Sequence, residues 1–117
     1  MSDQLRSTYF VGPSQQEIRD MPDYARAEIG YGLFLLQQGR DPLSWAPVKT
    51  VGTSVREIRI KRGTDIHRCL YLLAGTPTAV YVLLAFTKKD QQIPHRILTL
   101  ARTRYRDVQA VLKGQRP

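Results

Sequence analysis

A lone cysteine, Cys69, and only two histidines, His67 and His95, leave this chain with little material for several kinds of chemistry. A single thiol closes no disulfide and forms no Cys-x-x-Cys knuckle, so Cys69, set in the run Cys69-Leu70-Tyr71-Leu72-Leu73, reads as a core residue. Two isolated imidazoles make a poor zinc site, and no His-Glu-x-x-His pair, nucleophile elbow or glycine-rich phosphate loop occurs. The sequence therefore asks for no metal and no cofactor. No stretch approaches the roughly 18 uninterrupted apolar residues of a membrane span, and Met1-Ser2-Asp3-Gln4-Leu5-Arg6 has no apolar signal core. The expectation is a cytoplasmic protein with no membrane partner. Acidic residues are scarce as well, ten against eighteen lysines and arginines, which leaves a formal net charge of +8.

What is present suffices for one core. With 117 residues, 42% of them apolar, residues 1–117 are expected to fold as a single domain. The positive surplus implies an acidic partner, although charge alone fits nucleic acid, an acidic protein or simple solubility.

Along the chain, Thr8 to Val11 favour a short strand or extended lead-in, stopped by Gly12-Pro13. Ser14 and Glu17 have capping-box spacing, so a first helix is expected from Gln15 to just before Pro22. A second begins at Pro22-Asp23, with Ala25, Ile29, Leu33 and Leu36 on one face and Gly39 as its stop. Asp41 to Gly52 is broken by Pro42, Pro47 and Gly52 and reads as a packed loop whose Leu43, Trp45 and Val48 lie against the core. Val55 to Lys61 then alternates, with Glu57, Arg59 and Lys61 facing one way and Ile58 and Ile60 the other. Turn residues Arg62 to Asp65 lead into a strand over Ile66 to Leu73, and Ala74 to Thr78 into an apolar strand over Ala79 to Phe86, of the kind covered on both faces. Pro94 opens a last helix with Ile97, Leu100, Ala101 and Tyr105 inward. The expected fold is α+β: two N-terminal helices, an antiparallel sheet of three or more strands and a C-terminal helix, with the long helices on one sheet face and a shallow basic concavity on the other.

Cations cluster on the expected strands: Arg56, Arg59, Lys61 and Arg62, then His67 and Arg68, then Lys88 and Lys89. Strands lie about 4.8 Å apart, so neighbours in this set can share a patch. Charges on an exposed sheet face are ordinarily just solvated, and spacing alone favours that reading. His67 likewise reads first as a partly buried structural residue and His95 as part of a first helical turn. If the patch does bind, a polyanion is its natural ligand, because arginine forks suit phosphate oxygens and charge building on phosphorus. RNA also carries its own nucleophile, the ribose 2′-hydroxyl, leaving a protein to supply alignment, charge stabilisation and proton transfer.

The succession Phe10-Val11-Gly12, Met21-Pro22, Ile29-Gly30-Tyr31, Gln38-Gly39, Glu57-x-Arg59, Arg68-x-x-Tyr71, Phe86-x-Lys88-Lys89 and Ala101-x-x-Arg104 resembles the phage-derived branch of the RelE/HigB toxins, over most of the chain. The resemblance implies the toxin of a type II toxin-antitoxin pair, a ribosome-dependent mRNA endoribonuclease that works without metal. It further implies inhibition by an antitoxin, often a helix-turn-helix protein through which alone operator DNA is engaged. In such toxins the positions of Arg59 and Arg68 contact or stabilise the scissile phosphate, and that of Lys89 holds a general acid or a further phosphate ligand, assisted by Lys88. Arg56, Lys61 and Arg62 would add to RNA binding, and Glu57 would either orient Arg59 or form a structural ion pair with it. Two positions depart from the pattern: His67 stands where relatives carry an aromatic residue, and Leu84 where the phage-derived branch often has histidine. Either His67 supplies the missing acid-base group or the arginines and lysines work without one. Two other functions suit the same sequence, a ParE-like gyrase poison and a non-catalytic adaptor for an antitoxin or operator.

Overall fold

The structure, a computed structural model, describes residues 4–89 and 92–114. Thr8–Phe10 form β1, Ser14–Arg19 α1, Asp23–Gln37 α2, Trp45–Pro47 β2, Arg56–Arg62 β3, Asp65–Ala74 β4, Ala79–Lys88 β5 and His95–Gly114 α3. The α+β class holds, with the two hairpins β3-β4 and β4-β5 at its centre. Gly63, at φ 60, takes the left-handed conformation in the β3-β4 turn, which a side chain would strain. The sheet is larger than the meander, with the order β1-β5-β4-β3-β2.

Its two outer strands correct the sequence reading. β1 pairs parallel with β5, so the sheet is mixed rather than purely antiparallel; α1 and α2, lying between β1 and the rest, give the chain the length such a return needs. β2 arises inside the stretch expected to be an irregular loop, where its last residue, Pro47, is tolerated because an edge strand can spare an N–H. Of the three side chains expected to seat that stretch, Val48 is buried, but Leu43 is 87% exposed and Trp45 also reaches solvent.

On one face, Ala25, Ile29, Leu33 and Leu36 of α2 pack on Ile58, Ile60, Cys69, Tyr71, Val80 and Val82, so the helical stripe read from the sequence is the one buried. Each leucine, isoleucine or valine among them contributes roughly 1.5–3 kcal/mol when fully buried. The opposite face is covered too. Ala101 and Val108 of α3, with Val48, Val51 and Val55, pack on Leu70, Leu72, Tyr81, Leu83 and Leu84. The expectation of long helices on a single face therefore fails, for a physical reason visible in β5: a strand apolar on both sides needs a cover on each. The β4-β5 register slips beside Leu70 and leaves Leu83 as an extra residue, so Leu83 and Leu84 both serve the α3 side.

α3 is held by polar ties as well. Arg102 Nε donates to Thr50 O at 2.8 Å and Tyr105 Oη to Thr53 O at 3.2 Å. Gly52 is required beneath Tyr105, since a Cβ there would come within 2.5 Å of the ring. Leu100, expected inward, is instead 38% exposed. The capping box does not form either: Ser14 Oγ donates to Val82 O, while the Glu17 carboxylate accepts the Ala85 N–H and both guanidinium nitrogens of Arg104. Arg104 Nη1 also donates to Leu83 O, so this pair satisfies the edge of β5 beyond the end of β1. No helix among the described residues is long and apolar enough to cross a membrane.

Candidate functional site

Strand alternation sorts the eight basic candidates into two groups. Arg59 stands directly opposite Arg68, and Lys61 and Lys88 both stand opposite Ile66, so these four residues share the α3 face of the sheet. With strands about 4.8 Å apart, Lys61 and Lys88 flank Ile66 across roughly 10 Å. Lys89 follows immediately after β5 and is exposed. α3 covers the middle of this face, so the expected open concavity is reduced to its end, where Arg59, Lys61, Lys88 and Lys89 meet solvent.

The two arginines are not equivalent. Arg59 is about one-third exposed, and its Nε and Nη2 donate to Glu57 Oε1 at 3.1 and 2.7 Å. Arg68 is buried, 2% exposed, with Nη1 3.5 Å from Glu57 Oε2, and Glu57 is equally buried. One carboxylate thus lies between two guanidinium groups. In this geometry only Arg59 offers a face to a ligand; Arg68, expected as a phosphate contact, holds the carboxylate that holds Arg59. A buried ion of either sign is costly without its counter-ion, which ties the position of Arg59 to both partners.

The second group lies on the α2 face. Arg56 stacks over Trp45 at 4.4 Å and its Nη1 is 3.5 Å from Asp41 Oδ1. Arg62 stacks over Tyr24 at 4.3 Å. His67, 1% exposed, has Nε2 2.5 Å from Tyr24 Oη and Nδ1 2.7 Å from Thr87 Oγ1. Both ring nitrogens are therefore engaged on the side of the sheet away from Arg59. The structure does not bring His67, Arg56 or Arg62 together with the Arg59 end. For His67 the reason is parity, since adjacent residues of one strand point to opposite faces, and Arg68 occupies the other. His67 is close to the structural reading made from the sequence, with Tyr24 as the partner which that reading lacked. A tyrosine at the start of α2 carries no spacing signal toward a histidine 43 residues on.

Burial pushes the Cys69 thiol up to about 12, helped by the negative charge of Glu17, so it remains a neutral core group. Burial likewise pushes Tyr71 up to about 12 against the opposing pull of the neighbouring Arg56 cation. Neither group offers a ready nucleophile at neutral pH. What the exposed end can offer is a set of cations at fixed spacing, with one guanidinium pre-oriented on a carboxylate: an arrangement that binds an anion and stabilises negative charge developing on it.

No curated protein matches the chain. A family model does: phage derived protein Gp49-like (DUF891), over residues 16–106, a stretch reaching from α1 to within α3 and containing all eight basic candidates. That family is associated with the toxins of toxin-antitoxin pairs. The chain belongs to the Gp49-like family of phage-derived proteins.

Proposed function

We propose that this protein is the toxin of a type II toxin-antitoxin pair and acts as a RelE/HigB-like endoribonuclease that cuts messenger RNA on the ribosome. The observation that carries this reading is the placement of Arg59, Lys61 and Lys88 on one face at one end of the sheet, with Lys89 beside them. Lysines on flexible stems at that spacing can reach phosphates along a single strand, and Arg59 is partly exposed, so an N–H of its fork can turn from Glu57 to a phosphate oxygen.

In the proposed reaction the ribose 2′-hydroxyl gives its proton to solvent water as it attacks the adjacent phosphorus, the bond to the 5′-oxygen breaks, and a 2′,3′-cyclic phosphate and a free 5′-hydroxyl result. Arg59 stabilises the charge that builds on the non-bridging oxygens. Lys89 gives a proton to the departing 5′-oxygen, while Lys61 and Lys88 align the strand. Arg68 and Glu57 act as positioning residues. Because the nucleophile comes from the RNA, these steps pass through no covalent enzyme intermediate. The antitoxin is the direct partner, and operator DNA is reached through it.

Brief induction of the chain without an antitoxin, followed by mapping of messenger RNA 5′ ends, tests the reading. Cuts at fixed positions within codons support it. DNA breaks with intact transcripts would instead identify a gyrase poison, and undisturbed growth a non-catalytic adaptor.

A further inference from the structure

The outer edge of β3 is only partly used. β2 pairs with it as far as Trp45 opposite Ile58, and the Arg59 N–H donates to Ser44 O at 3.1 Å. The alternation that turns the Arg59 amide outward turns the Lys61 N–H and C=O outward as well, and among the described residues no strand lies beside them. Next to this edge is a groove of about 700 Å3, with Tyr31 of α2 on one wall, Leu43 on the other and Ile60 between. Tyr31 is 50% and Leu43 87% exposed, unusual for large apolar side chains standing this close together.

We propose that this edge and groove receive an added strand from an acidic protein partner. A strand laid beside residues 60–62 would continue the line of β2 and take up the free backbone groups of Lys61. Its side chains would alternate. One set enters the groove among Tyr31, Leu43 and Ile60; the other lies on the α3 face beside Arg59 and Lys61. The segment that fits is therefore one in which apolar and acidic residues take turns. Glu28 also lines the groove, on the α2 wall, which disfavours acids in the apolar set and keeps them on the opposite side. Nucleic acid suits the place poorly, since it has neither a ladder of amides nor apolar side chains at a two-residue period.

The proposal rests on the toxin reading in one respect, that the partner is the inhibitor. A strand in this place covers Arg59 and Lys61, and so competes with RNA for the same cations without entering a deep cavity.

A synthetic peptide of about ten residues, glutamate alternating with valine and isoleucine, can be titrated into the isotope-labelled full chain and followed through its backbone amides. Expected are shifts and slowed hydrogen exchange centred on Lys61, and a loss of affinity of about tenfold or more in Leu43→Ser and Tyr31→Ser, exposed positions whose change leaves the remaining spectrum in place. A peptide with lysine in place of glutamate should not bind. Shifts centred on β1 at Tyr9, equal binding of the lysine peptide, indifference to both substitutions, or no binding at millimolar peptide would each overturn the proposal. No RNA takes part in the assay, so the nuclease reading and this one can fail separately.

Discussion

Arg59 and Arg68 stand opposite each other on β3 and β4, and their mutual repulsion is offset by Glu57, which turns a different oxygen to each. Arg59 takes Oε1 and remains partly exposed; Arg68 takes the side of Oε2 and is buried. The two arginines therefore answer differently to substitution. Arg68→Ala leaves the buried Glu57 with one cation in place of two and opens a void, and should cost about 3 kcal/mol or more of folding stability. Arg59→Ala keeps the buried ion pair and opens no void, but it removes the hydrogen bonds to Glu57 Oε1 and should cost about 1–2 kcal/mol. Urea unfolding of the two purified variants checks the contrast; equal losses would mean that the burial of Arg68 has been misassigned.

His67 supplies a second contrast. Its two ring nitrogens meet Tyr24 Oη and Thr87 Oγ1 on the face away from Arg59. Tyr24→Phe removes one of those partners and leaves a buried imidazole nitrogen unsatisfied, so a stability loss of roughly 1–3 kcal/mol is expected. Toxicity at a temperature where the variant stays folded should be unchanged. Toxicity lost with the melting temperature intact would return His67 to the chemistry.

The Glu17-Arg104 pair joins α1, α3 and the free edge of β5. Glu17→Gln keeps the shape and removes the charge, and is expected to destabilise by about 2–3 kcal/mol, as loss of a charge-assisted bidentate contact does. If α3 docks independently of this contact, the thermal midpoint of Glu17→Gln will match the parent.

Alkaline pH should weaken the fold. Cys69 is raised from 9.0 to about 12 and Tyr71 from 10.0 to about 12, so above pH 9 the unfolded chain releases protons that the folded chain retains. Stability is thus complete below pH 9 and falls between pH 9 and 12. Cys69→Ala, although less stable at pH 8, should show a shallower decline over that window in denaturant titrations. A decline as steep as the parent's would remove Cys69 as a contributor.

Much of this fold is legible in the residues. The stripe Ala25, Ile29, Leu33 and Leu36, the alternation through Ile58 and Ile60 and the turn at Gly63 all rest on local periodicity or turn chemistry, and they appear where that physics puts them. β2 was hidden by Pro42 and Pro47, since what keeps a proline-bearing segment in a sheet is its place at an edge, which is a tertiary fact. The second cover of β5 was legible in principle: Ala79 to Phe86 is apolar on both faces, which is incompatible with helices on one side alone. In the candidate site, parity along one strand places Arg59 with Lys61. Separating His67 from Arg68 needed only the same rule, whereas the burial of Arg68 depends on what α3 and the residues before it cover. Tyr31 and Leu43, separated by a helix end and a turn, gave no sequence signal for the groove they form.

The most direct measurement uses purified chain, ribosomes and a defined messenger RNA, with cut sites and termini read for the parent, Arg59→Ala and Lys89→Ala. Codon-positioned cuts bearing 2′,3′-cyclic phosphate ends in the parent, lost or slowed at least about a hundredfold in folded Arg59→Ala, are the predicted result. Uncut RNA in the parent, or the same cuts at the same rate in both variants, would contradict the assignment of the exposed cations to RNA cleavage.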